Sequence, residues 1–330
     1  MAAYILGMGK ISPGESAITE MGSSSGLETR TCQEPDYGQW IDGKQMRRLS
    51  RILKMSYAAA SMAIADSKTS EIDGVIVGTG LGCMEDTQSF LAKMIEQNEF
   101  ALNPTPFIQS THNTIAGTIA LMRGYRGYNQ TYTQNFLSFE QALVDVLMLA
   151  NSDSSKNYLL GAADEIIPAL VLISQRLMKE ENISKMTIGE GACFFVLSGD
   201  KPEGLCCEII DVETIFHPKN MDLKARLEQF LDQCGILGVQ IELLALGSVS
   251  TFGSDMTLQG LVKQVIPQAA ISHFKDQCGE YSSAGSYGLS SLAEQLMEST
   301  HRSAKYGILI NVSLGKYYSF TLLRSCPVTA

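Results

Sequence analysis

The sequence predicts an α/β layered fold built from two similar halves. Short apolar runs alternate with amphipathic helical runs along the chain. The alternation runs through twice, and each pass closes on a pair of strands, which indicates an internal duplication. A turn-rich stretch, Gly199-Asp200-Lys201-Pro202-Glu203-Gly204, separates the passes. The halves are therefore placed at residues 1–200 and 201–330, together forming one compact unit.

The first half opens on a short apolar strand, Ala3–Met8. Residues 22–43 show no strong period and read as a loop. Gln45–Asp66 reads as one long amphipathic helix; Ala58, Ala59, Ala60, Ala63 and Ala65 allow close packing between layers. Asp73–Gly80 is a buried strand ending in a glycine turn, followed by helices over Met84–Gln97 and Thr111–Arg123. Asn129–Gln134 is a short polar strand, Ser138–Ala150 a helix, and Asn157–Gly161 and Gly191–Leu197 are strands. The second half repeats the plan: strand Cys206–Thr214, helix Met221–Cys234, strand Glu242–Gly247, helix Thr257–Val265 and strand Ala269–His273. Helix Ser286–Ser299 and the strand pair Tyr306–Ser313 and Tyr317–Leu323 complete it.

Hydrophobic residues make up 45% of the 330 and charged residues 18%, which fits a globular chain with a substantial core. The net charge of −10 argues against non-specific nucleic-acid or anionic-membrane binding, because no basic surplus exists to neutralise phosphates. The one dense basic run, Lys44 to Lys54, reads as a solvated helix start or as a docking patch. No run approaches the roughly 18 apolar residues of a membrane span, and the N-terminus lacks a signal-peptide pattern. The eight cysteines include no C-x-x-C pair, so reduced thiols and a cytoplasmic location are expected. The four histidines show no metal-ligand spacing, and no metal is expected. Gly78-x-Gly80-x-Gly82 lacks the spacing and the following lysine of a phosphate loop.

Four motifs occur in a telling order. Met46-Arg47-Arg48-Leu49-Ser50-Arg51 opens a helix. Asn103-Pro104-Thr105-Pro106-Phe107 leads to Ala116-Gly117 and to Arg123-Gly124-Tyr125-Arg126-Gly127. Leu160-Gly161-Ala162-Ala163-Asp164-Glu165 ends a strand, and Ile188-Gly189-Glu190-Gly191-Ala192 begins another. In order and spacing these resemble the β-ketoacyl (3-oxoacyl-carrier-protein) synthases over nearly the whole chain. The resemblance implies the thiolase-like fold, in which duplicated strand-helix halves stack in an α-β-α-β-α arrangement.

Ketosynthases use a cysteine at a helix N-terminus, where the dipole favours thiolate, to carry the acyl chain. Two histidines stabilise the enolate oxygen during decarboxylation. The matching positions here are Phe136 for the cysteine, Leu246 for the first histidine and Glu280 for the second. A phenyl ring cannot form a thioester. Ser138 matches the second serine after the nucleophile, and Phe139 follows it. Lys275, Asn311 and Gly315 match retained supporting positions. Lys275 and Glu280 read either as an ion pair, as two exposed side chains, or as a proton-transfer pair.

Three losses at separately anchored places point to a degenerate, chain-length-factor-like homologue, with its own condensing activity in doubt. The resemblance implies a dimer formed through the strand before the nucleophile position, here with Gln130, Tyr132 and Gln134. It also implies acyl carrier protein and an active ketosynthase as partners, or a homodimer, in fatty-acid or polyketide biosynthesis, the aryl-polyene type included, without a cofactor. Phe136 and Phe139 would line or close an acyl tunnel. The competing readings are a diverged acyltransferase or decarboxylase using Cys278 with Glu280 or His112, and a non-enzymatic acyl-chain or carrier-protein binding module. Cys83 and Cys278 are otherwise structural thiols, and His112 a capping or packing residue.

Overall fold

In the computed structural model, residues 2–20, 26–69, 71–180, 183–216, 222–248, 255–298 and 304–327 are described. The first half contributes strands β1 (Ala3–Ile11), β2 (Pro13–Glu20), β3 (Leu27–Cys32), β4 (Gly74–Gly78), β5 (Tyr128–Tyr132), β6 (Asn157–Asp164), β7 (Met186–Gly189) and β8 (Gly191–Ser198). Its helices are α1 (Gly43–Met46), α2 (Arg51–Ser67), α3 (Met84–Glu96), α4 (Pro104–Gln109), α5 (Thr114–Arg123), α6 (Ser138–Ser152) and α7 (Pro168–Glu180). The second half contributes β9 (Cys206–Phe216), β10 (Ile241–Gly247), β11 (Ala270–His273), β12 (Tyr306–Ser313) and β13 (Tyr317–Cys326). Its helices are α8 (Leu223–Gln233), α9 (Asp255–Val265), α10 (Lys275–Cys278) and α11 (Ala284–Glu298).

Ten strands form one mixed sheet in the order β11-β10-β12-β13-β9-β1-β8-β6-β4-β5, while β2, β3 and β7 form a small one. Counted within each half in chain order, both arms of the large sheet read 3-2-4-5-1. The parallel and antiparallel pairings match as well: β4 is parallel to β5 and β6, as β10 is to β11 and β12. The arms join where Ala3–Ile5 of β1 pairs antiparallel with Cys207–Ile209 of β9.

Side chains alternate across each strand, and the alternation assigns the layers. Ile76, Leu160 and Phe195 of one arm share a core with Ala245, Leu309 and Leu323 of the other, around α6 and α11. Val75, Leu159 and Phe194 face the opposite way, onto α2 and α5. Leu244, Ile308 and Phe320 face outward in the second arm, onto α8 and α9. The order is therefore α2/α5, sheet, α6/α11, sheet, α8/α9. The alanines of α2 serve the close packing expected of them: a Cβ added at Gly9 of β1 would lie 2.2 Å from the Ala59 carbonyl oxygen.

Several boundaries differ from the sequence reading. The helix expected over Gln45–Asp66 is interrupted, because Ser50 takes an extended conformation (ψ 170°) as the N-cap of α2. The expected loop at residues 22–43 contains β3, whose Leu27, Thr29 and Cys32 are buried. Its inward positions are partly polar, which hides the period-2 signal. Gln134 lies beyond β5, which ends at Tyr132. Helix α7 buries only Val171 and Met178 and leaves Leu172, Ile173 and Leu177 exposed. His217, His301 and residues 249–251 fall outside the described residues.

Candidate functional site

The turn from β5 into α6 runs through Asn135-Phe136-Leu137 as a single 3-10 turn. Asn135 sits at φ +51°, a left-handed conformation that Asn tolerates better than most residues. Ser138 fastens this turn: its Oγ donates to the Asn135 carbonyl at 2.7 Å and accepts from the Gln134 amide at 2.8 Å. Both bonds are local and the side chain is buried, so Ser138 is a brace. Phe136 is half-buried, and its ring centroid lies 5.4 Å from that of Tyr317 at the start of β13. Tyr317 in turn lies 5.0 Å from Phe216 at the end of β9. Three rings thus connect the first half to the second at this turn, in tilted geometries favourable for aromatic pairs. Phe139, expected beside Phe136 at a tunnel wall, instead packs in the core 6.0 Å from Phe195.

The three positions matched to the catalytic groups go to different surroundings. Leu246 is buried in the outer core over α8 and α9, facing away from the α6/α11 layer. Glu280 is buried and salt-bridged: Lys275 Nζ donates to its two oxygens at 2.9 and 3.1 Å. The same ammonium donates to the Val312 carbonyl and to Ser313 Oγ, each at 2.9 Å, and Ser313 Oγ donates to Glu280 Oε1 at 3.0 Å. Burial pushes the Glu280 carboxyl up, and Lys275 opposes that shift. The reading of Lys275 and Glu280 as exposed side chains is therefore corrected: their partners from β12 draw the pair inside.

A second buried carboxyl lies on α6. Glu140 Oε1 accepts from Asn311 Nδ2 and from Ser319 Oγ, both at 3.1 Å. Burial raises its carboxyl, against the pull of those bonds. Glu140 Oε2 and Asn311 Oδ1 are buried without partners among the described residues. Asn311 is thus spent on α6. Gly315, matched to a loop that shapes the family's site, lies at an exposed β12–β13 hairpin turn with φ +61° beside Leu314 at φ +52°. It shapes a turn here, where two successive positive φ values are needed.

The retained motifs are explained by packing. Glu190 accepts a bidentate pair from Arg51 at 2.6 and 2.7 Å, plus the amides of Cys32 at 2.8 Å and Ile166 at 2.9 Å. Its flanking glycines answer close approaches: a Cβ at Gly189 would lie 1.8 Å from the Cys278 oxygen, and one at Gly191 2.7 Å from the Tyr281 hydroxyl. Arg51, read within the basic run, therefore turns inward, and it also bonds Glu34. Asp164 pins the glycine turn after β4, accepting from Thr79 Oγ1 at 3.1 Å, Gly80 N at 3.0 Å and Leu81 N at 3.2 Å. Its other oxygen takes the Ser283 hydroxyl at 2.7 Å. A carboxylate thus occupies the amides that a phosphate would need.

In the sequence the acid pair Asp164-Glu165 reads only as a turn motif; the fold adds its environment. Glu165 accepts from the Glu85 amide at 3.0 Å at the start of α3. Burial pushes its carboxyl up to about 7. It borders a cavity of about 670 Å³ with Arg51, Glu85, Gln88 and Glu190. Phe136 does not line that cavity.

The alternative nucleophiles lie inside the fold. Cys83 and Cys278 are buried, and burial raises both thiols; Cys278 Sγ donates to the Gly279 carbonyl at 3.3 Å. His112 is exposed and precedes α5, whose N-cap is Asn113, so it is not a helix cap. Among the described residues no group of His, Cys, Asp and Glu is arranged to hold a metal ion. None of the described helices is long and apolar enough to cross a membrane.

Residues 28–181 match the family described as beta-ketoacyl synthase, N-terminal domain. The 3-oxoacyl-[acyl-carrier-protein] synthase 2 of Synechocystis sp. is 25% identical over 144 residues, covering 41% of this chain and 34% of that protein. The protein of the same name from Vibrio cholerae is 31% identical over 101 residues, covering 28% of this chain and 24% of that one. The matches therefore span about a third and a quarter of those curated relatives. Solved structures align over 98% of the chain. The ishigamide ketosynthase/chain length factor gives a TM-score of 0.84 at 15% identity, covering 99% of that chain. A beta-ketoacyl synthase from Burkholderia phymatum gives 0.78 at 16%, also covering 99%. The ketosynthase ApeO in complex with its chain length factor ApeC, from Xenorhabdus doucetiae, gives 0.75 at 14%, covering 98%. At these identities the structural likeness establishes the fold. Residues 28–181 are thus similar to the β-ketoacyl synthase N-terminal domain, and the whole chain has the thiolase-like fold of these ketosynthase structures.

Proposed function

We propose that this chain is a non-condensing ketosynthase homologue that serves as the partner subunit of an active, cysteine-bearing ketosynthase in fatty-acid or polyketide biosynthesis, of the aryl-polyene type among others. One observation carries the reading: the helix turn that would present the nucleophile presents Phe136, braced by Ser138. Thioester formation needs a thiolate in reach of the acyl carbonyl. The candidate thiols Cys83 and Cys278 are buried and raised. Glu280 cannot replace an imidazole as hydrogen-bond donor to an enolate while Lys275 holds both its oxygens.

The partner surface is the outer edge of β5. That strand ends the large sheet, pairs with β4 on one side, and exposes Tyr128, Asn129 and Gln130. An edge strand presents unpaired backbone donors and acceptors, and a second strand can add to it. The helices over its two faces place Leu121 of α5 at 83% exposure and Met148 of α6 at 57%. Two structural relatives, a ketosynthase/chain length factor and a ketosynthase in complex with its chain length factor, support a partner of this kind. Phe136, Tyr317 and Phe216 would bound the acyl chain grown by the partner. Acyl carrier protein would deliver substrate to the partner's cysteine.

Co-expression of the tagged chain with cysteine-bearing ketosynthases of the same organism tests this. A stoichiometric heterodimer is expected. A stable homodimer that binds none of them overturns the partner assignment.

A further inference from the structure

Two cysteines face each other across the second arm of the sheet. Cys206 is the first residue of β9 and Cys326 the last of β13, and the antiparallel register sets them directly opposite. Opposed residues of such a pair project from the same face, with Cα atoms about 4.5–5.5 Å apart. That separation falls within the roughly 4.4–6.8 Å spanned by disulfides. Cys207 projects to the other face, into the core around α6 and α11, whereas Cys206 and Cys326 belong to no core cluster among the described residues. The face they share is polar: Arg324 and Glu208, the opposed pair two residues along, are ion-paired. Both cysteines stand at strand ends and are themselves buried, at 2% and 5% exposure, beneath a margin that includes Leu205 at 44%.

We propose that Cys206 and Cys326 are a redox modification site that forms a reversible cross-strand disulfide, fastening the last strand of the chain to the first strand of the second half. The oxidant class is a low-molecular-weight disulfide. The Cys326 thiolate attacks one sulfur of that disulfide, breaking its S–S bond and releasing one thiol. The deprotonated Cys206 then attacks Cys326 Sγ in the mixed disulfide, forming the protein S–S bond and releasing the second thiol. Two protein thiols are oxidised and one small disulfide is reduced to two thiols. Cys326 is placed first because Arg324 favours a thiolate there and does not act on Cys206. A hydrogen bond from Cys206 holds the Cys326 thiol below the ordinary range, with Arg324 and Lys201 assisting and burial and Glu208 opposing. Cys206 is correspondingly raised.

The test uses the folded full-length protein, equilibrated in glutathione disulfide, then denatured, alkylated and weighed. The expected result is the loss of two hydrogens, six of the eight cysteines alkylated, and a single cross-linked peptide pair joining Cys206 to Cys326. A rise in Tm of several degrees, reversed by dithiothreitol, accompanies it. Cys206→Ser and Cys326→Ser each abolish both the cross-link and the rise. The proposal is overturned if all eight thiols stay alkylatable, if glutathione remains on either cysteine unresolved, or if the cross-link joins other cysteines.

Discussion

Phe136 and Glu280 show how differently single positions declare themselves. The place of Phe136 could be read because flanking motifs anchor the turn on both sides. The partners of Glu280 could not, because Val312 and Ser313 lie 37 and 38 residues beyond Lys275 and only the β12 strand brings them in. Breaking a buried pair leaves an uncompensated charge, so Lys275→Met should lower stability by about 3–5 kcal/mol. The double variant Lys275→Met/Glu280→Leu should recover most of that in urea unfolding. Glu165 makes a pH prediction. Its folded carboxyl titrates at about 7 against an ordinary 4.5. The native state therefore holds the proton longer than the unfolded chain does. Its contribution is fully present below pH 4.5 and is lost as pH rises through 7. The difference amounts to about 3 kcal/mol at 1.4 kcal/mol per pKa unit. Glu165→Gln, which keeps an oxygen for the Glu85 amide, should flatten this part of the stability profile. An unchanged slope between pH 4.5 and 7 would contradict the assignment.

Elements were legible where their periodicity was strong. The buried runs of β4, β6 and β8, and the alanine face of α2, follow directly from residue type. Short or partly polar pieces were not: β3 buries Thr29 among its inward positions, and α4 buries nothing. The glycines beside Glu190 had a family signature but no visible cause until the α10–α11 turn arrived against them. Gly189→Ala must displace the Cys278 carbonyl and should cost about 1–3 kcal/mol, measured by the shift in unfolding midpoint. The β5 edge permits the converse experiment. Leu121→Asp with Met148→Lys alters exposed side chains, so the stability of the isolated chain should change by no more than about 0.5 kcal/mol per site. Capture of a ketosynthase partner should be lost. Retained capture would place the interface elsewhere.

At the scale of the molecule, the two arms share one strand order, and the α6/α11 layer between them holds the turn at Phe136 and the carboxyls of Glu140 and Glu280. The repeated alternation of strands and helices was visible in the sequence. The strand order was not, since parallel neighbours in the sheet are set by crossovers and not by adjacency in the chain. The fold is that of the ketosynthase structures, while its central polar groups bond one another: Glu140 with Asn311 and Ser319, Glu280 with Lys275 and Ser313. Under the proposed role this frame docks a partner and bounds an acyl chain without bonding to it. The direct measurement is intact mass after incubating the purified complex with acyl- and malonyl-carrier protein. An acyl adduct on the cysteine-bearing ketosynthase and none on this chain is the predicted result; an acyl adduct on this chain would contradict a non-condensing role.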